Sequence, residues 1–473
     1  MQHFVGLDVS VKRTAICVVD EQGRVVARAA VESERTTHPG RSAAMTAPGT
    51  GIGRLFRPAA TVRGIALAVA VLACVVPAAG LGLGLAYLHA TRQVAFTADP
   101  AASAARPGFD RLAASLAARG TEAFLVVRGD RLLYEWYRPG PGLVPGALGR
   151  HDIASASKAV TGGLALALLG REGLVGLDDP IGRHVPEWRQ DPVRAGLTVR
   201  QLATHSSGLR FASRDDALPW GREYMRSPQR RVALALDTPL VGAPGEVVSY
   251  SNPGFTILGY AISRALHEAG RGDLRAFLRE RLWRPLGVPD GAWEIGYGEP
   301  TWRDGVPAYE VGGGTRLTAR ALARLGGLLA AGGTLAGEVI ADRGWLDAVT
   351  APTGAALPAD WPQSRQPAAA LGWWVNSNGA WPEAPRDTLV AAGAGHEVLV
   401  VVPSLGVAAV RLGERLGADH FGGDYWRALE AALLGPLLEG LCGLPDDVAC
   451  PRAMVGHGGP GRGSTLPASP PPG

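Results

Sequence analysis

The sequence predicts a mixed α/β (α+β) chain with one N-terminal transmembrane helix, on three observations. Short β-rich runs surround Gly129-Asp130 early, at Glu122 to Arg128 and Arg131 to Tyr137. Similar runs return late, at Gly372-Trp373-Trp374-Val375, Glu397 to Val402 and Val407 to Leu412. Between the two sets the apolar pattern is mostly helical. Ahead of both, Gly64 to Leu88 is a stretch of 25 uncharged, mostly apolar residues, long enough at about 1.5 Å per residue to cross a bilayer core.

The chain has 473 residues and 47% hydrophobic content, enough to fill a large core and to form two or three domains. Its net charge of +4 is small for this length, and no arginine-rich or lysine-rich run stands out. A nucleic-acid surface is therefore not expected.

Taken in order, residues 1–34 read as a separate fragment. Strands are expected at Phe4 to Val9, Thr14 to Val19 and Arg24 to Val31, the last two joined by Asp20-Glu21-Gln22-Gly23. This fragment resembles the first β-strands of insertion-sequence transposases with a resolvase-like nuclease fold, in which an aspartate at the position of Asp8 binds metal. A lone aspartate cannot perform two-metal chemistry, so the fragment is expected to be an accidental fusion, with Met45 as the working start; a small cytosolic module is the alternative. Residues 35–63 read as linker. The apolar stretch 64–88 contains Pro77 and several glycines, which membranes tolerate. Arg54, Arg57 and Arg63 precede it and Arg92 and Arg106 follow it, which favours the N-terminus inside. The expectation is a single-pass protein of the cell membrane with its main domain extracytoplasmic. A buried core helix and a cleaved signal peptide are the alternatives.

Residues 89–107 form a spacer, and 108–442 the main domain. Phe109 to Arg119 has helical periodicity, with Leu112 and Leu116 one turn apart. The runs around Gly129-Asp130 make a hairpin. Gly173 to Pro180 is a turn-rich connection. Thr198 to His205 reads as a short capped helix, and Pro253 to Ala265 and Leu274 to Leu282 as further helices. Thr318 caps a helix through Ala331. Asp424 to Leu441 closes the domain, with a kink expected at Gly435-Pro436. Residues 443–473 are a tail, disordered after 450. Cys442 and Cys450 lie eight apart and would close a small loop in an oxidising compartment.

Three constellations carry chemistry. The first is Ser155-Ala156-Ser157-Lys158, with Ser155 expected in the first turn of a buried helix that continues through the apolar run after it. A serine hydroxyl is a poor nucleophile until a neighbour takes its proton, and Lys158 shares its helical face. The chain has only two lysines, Lys12 and Lys158, against 45 arginines. Lysine can act as a base where arginine cannot. The bland alternative is a chance pattern with Ser155 as a helix cap. The second is Tyr250-Ser251-Asn252, between the loop Gly242 to Gly245 and a helix. It offers a phenol for proton transfer and an amide to orient a carbonyl or the lysine; for Tyr250 taken alone, a half-buried structural phenol is the better reading. The third is Gly393-Ala394-Gly395-His396, where glycines admit a ligand close to backbone. An N–H there, with that of Ser155, would make an oxyanion hole, although a tight hairpin turn needs the same glycines. His205 reads either as catalytic or as a capping or core residue.

Together these segments resemble the penicillin-recognising serine hydrolases: class C β-lactamases, D-alanyl-D-alanine peptidases, and related esterases and 6-aminohexanoate-oligomer amidases. Ser155 to Lys158 matches the family's S-x-x-K, and Tyr250 to Asn252 its Y-x-N. Thr204-His205-Ser206-Ser207-Gly208-Leu209 is similar to a recurrent family segment. The third motif departs from the common Lys-Thr-Gly and looks more like the glycine-rich form of the esterase and 6-aminohexanoate-hydrolase branch. The resemblance implies an antiparallel sheet with helices on both faces, a helical lobe, and an active cleft between them. It implies a serine hydrolase with Ser155, Lys158, Tyr250 and Asn252 as catalytic residues, and Gly393, Ala394, Gly395 and His396 as oxyanion or substrate-binding residues. No metal or cofactor is implied. The partners would be a small ester, amide or peptide substrate and the membrane. A β-lactamase or a D-alanyl-D-alanine carboxypeptidase is the alternative, and a sensor that acylates without turnover the non-enzymatic one.

Overall fold

The computed structural model describes three strands within residues 3–32 and the chain from 94 to 442, apart from 140–145, 213–217, 336–337, 352, 359–365 and 418–422. The N-terminal fragment is an antiparallel meander of β1 (His3–Val9), β2 (Arg13–Asp20) and β3 (Val25–Glu32), three strands near the expected positions. The linker, the membrane-span candidate 64–88, and the tail from 443 lie outside the described residues. Among the described residues no helix is long and apolar enough to cross a membrane.

The main domain is built on an eight-stranded sheet. Its strands are β4 (Thr97–Ala98), β5 (Thr121–Arg128), β6 (Arg131–Tyr137), β7 (Ala368–Ala370), β8 (Trp373–Val375), β9 (Leu389–Ala392), β10 (Val398–Val402) and β11 (Val407–Gly413), in the order 7-8-9-10-11-5-6-4. All neighbours are antiparallel except β4, which runs parallel to β6 at the edge. The hairpin forms as expected, Arg128 opposing Arg131 across a two-residue turn, with Gly129 at φ +56°. The central strands read as continuous apolar runs because both of their faces are buried. On β5, Leu125 and Val127 enter one core while Phe124 and Val126 enter the other. Val398 and Val400 against Leu399 and Val401 repeat this period-two division on β10.

One face is covered by α1 (Ala102–Ala118) and by the closing helices α5 (Gly423–Leu429) and α6 (Gly435–Leu441). The other face meets α2 (Leu164–Arg171), α3 (Asn252–Glu268) and α4 (Ala319–Ala330). Thr318 caps α4 as expected, accepting from Ala321 N at 3.2 Å. A Cβ on Gly327 of α4 would lie 2.0 Å from Gly129 O, so that contact requires glycine.

Two boundaries differ from expectation. Helix α1 begins at Ala102, inside the expected spacer, and carries Pro107 within it. Asp99 starts it, its carboxylate accepting from Ala101 N at 2.8 Å. At the other end, the closing helix is broken one step before the expected kink, by a π-turn over Glu430–Leu434. Pro436 has no N–H to continue the regular ladder, and the wider turn absorbs the mismatch. Cys442, at the end of α6, is disulfide-bonded; its expected partner Cys450 lies outside the described residues.

Candidate active site

Ser155 stands on a short 3-10 turn, Ala154–Ala156, rather than in the first turn of an α-helix. The next residues, Lys158–Gly163, form a π-turn that leads into α2. Lys158 thus opens the π-turn just after the 3-10 turn, and its side chain reaches back to Ser155. The elbow is pinned on both sides. Asp152 Oδ1 accepts from Ala154 N at 2.8 Å, and Ser157 Oγ donates to Ala154 O at 2.6 Å. Thr315 N donates to Ser157 Oγ at 3.1 Å. Ala154 itself adopts φ +47°, an uncommon conformation for a residue with a Cβ, held here by those bonds.

Lys158 is 2% exposed. Its Nζ donates to Ser155 Oγ at 3.2 Å, to Asn252 Oδ1 at 2.9 Å and to Gly312 O at 2.8 Å. An ammonium has three donors, and all three are used. The Tyr250 ring centroid lies 4.9 Å from Nζ and that of Phe255 5.5 Å. Two segments nearly a hundred residues apart thus converge on one cation.

The second motif is presented by the start of α3. Ser251 is its N-cap, accepting from Gly254 N at 3.0 Å. Asn252 Nδ2 donates to Ala212 O at 3.3 Å, which aims its Oδ1 at the lysine. The Tyr250 ring meets His205 at 4.4 Å and Trp374 at 6.4 Å, those two rings being themselves 6.3 Å apart, while Phe211 meets it edge-on at 5.9 Å. His205 is 3% exposed at φ +59°. Its Nδ1 accepts from Ser251 N at 3.2 Å. Burial, with the charge of Lys158 added, holds its pKa well below the usual histidine value. It is a neutral core residue supporting Tyr250, which favours the bland reading of His205.

The third motif follows β9 and packs against the elbow: a Cβ on Gly393 would lie 2.5 Å from Ile153 O. Gly393 N donates to Glu397 O at 2.8 Å, and Gly395 N to Glu397 Oε2 at 2.8 Å. The amides of Gly393 and Gly395 are therefore spent within the turn. That of Ala394 has no hydrogen-bond partner among the described residues. His396 does not line the cleft, contrary to expectation. Its ring is fully buried, stacked 3.9 Å from Tyr425. Nδ1 accepts from Leu416 N at 3.4 Å and Nε2 meets Tyr425 O at 3.2 Å, which occupies both nitrogens.

Sequence reasoning missed two supports. Arg411 is buried in the middle of β11; its Nη1 donates to Gly395 O at 3.1 Å and His396 O at 3.0 Å, and its Nε to Thr121 Oγ1 at 2.9 Å. An arginine inside the apolar run Val407 to Leu412 was the available signal. The other is the Gly312 carbonyl on Lys158, for which the glycine run 312–314 ahead of the Thr318 cap was the hint.

The buried histidine predicts a pH dependence. Burial pushes the His396 pKa down to about 4, whereas an unfolded histidine titrates near 6.5. Between these values the unfolded chain takes a proton that the folded one refuses. Stability should be full above about pH 6.5 and fall toward pH 4, by up to about 3 kcal/mol from this residue, with His205 acting in the same direction. Urea unfolding at pH 7.5 and 4.5 measures it. A His396→Asn variant that keeps the full loss on acidification would remove His396 as its source.

The model of the family described as Beta-lactamase matches residues 109–433. The D-alanyl-D-alanine-carboxypeptidase/endopeptidase AmpH of Escherichia coli (strain K12) is 30% identical over 173 residues, covering 36% of this chain and 44% of AmpH. The chain thus spans less than half the length of that curated relative. A penicillin-binding protein homolog from Caulobacter crescentus superposes with a TM-score of 0.53 at 20% identity, covering 73% of this chain and 100% of the homolog. A family VIII carboxylesterase superposes with a TM-score of 0.52 at 16% identity, covering 73% and 100% respectively. At these identities the structural matches speak for the fold.

Proposed function

The chain belongs to the Beta-lactamase family of serine hydrolases, and from that membership we propose that it cleaves an ester or amide bond through an acyl-enzyme on Ser155. The carrying observation is the buried Lys158 ammonium shared by Ser155 Oγ, Asn252 Oδ1 and Gly312 O. Ser155 Oγ attacks the carbonyl carbon while its proton passes through the Lys158 and Tyr250 pair to the leaving alcohol or amine. The C–O or C–N bond breaks and the acyl group stays on Oγ. Water then attacks the acyl carbon by the same relay, releasing the acid and restoring the serine. Asn252 orients Lys158, and the N–H groups of Ser155 and Ala394 receive the oxyanion.

The test is a fluorophosphonate probe, which should label Ser155 in the wild type and not in Ser155→Ala. Labelling mapped to another serine would sink the assignment. The similarity to AmpH supports a second reading, a D-alanyl-D-alanine peptidase using the same residues. The anchoring reading rests on the apolar stretch 64–88: the domain is held at the membrane on its outer side. A reporter active only outside the cytoplasm, fused after Cys450, should be on; an expressed but silent fusion reverses the topology.

A further inference from the structure

The acyl-enzyme reading uses Lys158 and Asn252 but not the carboxylate behind them. Glu310 is 12% exposed at its side chain. Its Oε1 accepts from Gly312 N at 2.8 Å, and the carbonyl of that same glycine accepts from Lys158 Nζ at 2.8 Å. Its Oε2 accepts from Thr256 Oγ1 at 2.6 Å, and Tyr224 OH lies 2.6 Å from that same hydroxyl. Arg231 Nη1 stands 3.9 Å from Oε2, and Tyr297 also lies near the carboxylate.

The two ends of this chain of bonds meet on one helix. Asn252, Phe255 and Thr256 lie on α3 at i, i+3 and i+4, and so share a face. From that face Asn252 binds Lys158 directly, Phe255 packs beneath it, and Thr256 holds the carboxylate that holds Gly312. A side chain at 312 would crowd this arrangement. A Cβ there would lie 2.9 Å from Glu310 Oε1, 3.0 Å from Phe255 Cβ and 3.6 Å from Lys158 Nζ. The backbone at 312 has no side chain of its own to fix it, and Glu310 supplies that anchor.

We infer that Glu310 is a positioning residue: it clamps the Gly312 backbone so that the carbonyl holds Lys158 Nζ in line with Ser155 Oγ. The inference rests on the Ser155 acyl-enzyme reading. Misplacement of a catalytic group by even a fraction of an ångström slows the chemical step while leaving ligand binding nearly unchanged. The side chain acts on the rate of acylation, then, and not on the affinity for the acyl donor. Because the bond to Gly312 N needs an acceptor and no particular charge, glutamine preserves it and alanine does not.

The experiment follows the rate of fluorophosphonate inactivation of the full chain, separated into kinact and KI, with Tm as a check on folding. Glu310→Ala should lower kinact by about tenfold with KI within about twofold of wild type. Glu310→Gln should recover kinact to within about threefold. An unchanged kinact in a folded Glu310→Ala overturns the inference, as does a glutamine variant as slow as the alanine one, or a loss that appears in KI instead. Should Glu310→Ala not fold, Thr256→Val, which removes one donor from the carboxylate, decides: a lower kinact at constant KI supports the clamp, and wild-type values overturn it. If the wild type is not labelled at Ser155, the acyl-enzyme reading itself fails. If it is labelled and these variants behave as wild type, only the role of Glu310 fails.

Discussion

Lys158→Arg should be nearly as damaging as Lys158→Ala, each losing roughly 10³-fold in kcat/KM for an ester substrate, within the 10²–10⁴ usual for a proton-transfer group. Arginine keeps the positive charge but not the chemistry, because its guanidinium does not release a proton in a protein. It also loses the geometry. Lys158 Nζ is a single atom within 3.2 Å of Ser155 Oγ, Asn252 Oδ1 and Gly312 O. A planar fork cannot offer three divergent donors from one point, and Lys158 is buried, which leaves little room for a larger head group. The measurement is steady-state hydrolysis by both variants, with unfolding curves to establish that each is folded. An arginine variant that retained most activity would make Lys158 an electrostatic partner of Ser155 and leave Tyr250 as the only base.

The parts of the site legible in the sequence are those in which a side chain does the work at short range. Ser155 and Lys158 are three residues apart, and one local turn brings them together whatever the rest of the fold does. Tyr250 and Asn252 flank Ser251, the cap of a helix whose start was readable at Pro253. Their convergence on Lys158 was not derivable from spacing and rested on the family resemblance. The backbone contributions were hidden, because a carbonyl such as that of Gly312 carries no side-chain signature. Glu310 was hidden for the same reason, since it acts through that backbone. His396 illustrates the opposite error. A histidine at the end of a glycine turn looks like a ligand, yet at φ +57° its ring turns away from the cleft onto Tyr425. The sheet was legible where runs were long, as in Val407 to Leu412. The three-residue strand Ala368–Ala370 and the four-residue Leu389–Ala392 were too short and too alanine-rich to declare themselves.

Short-chain esters or small amides should be turned over better than β-lactams, by about 10- to 100-fold in kcat/KM, the worth of one charge-assisted hydrogen bond of about 1.5–3 kcal/mol. Penicillins and cephalosporins carry a carboxylate beside the reactive ring, and a peptide cut by a carboxypeptidase carries one at its end. A lysine in the third motif commonly helps hold that anion in the family this chain belongs to. Here Thr388 to Gly395 contains no cation. His396 cannot substitute, because its ring is buried and its pKa lies near 4. Arg411 is close, but it is buried and directs donors at the carbonyls of Gly395 and His396. The shallow pocket that Gly395 opens onto is lined by Glu122, Asp152, Glu397 and Glu414 against Arg415 and His151, so a substrate carboxylate would meet mostly like charge there. A compact neutral acyl group meets no such opposition and needs no anchor beyond the proposed catalytic residues. Parallel assays with a short-chain nitrophenyl ester, a D-alanyl-D-alanine peptide and a chromogenic cephalosporin decide the order. Efficient cephalosporin hydrolysis with negligible esterase activity would overturn it and require a carboxylate anchor elsewhere in the cleft.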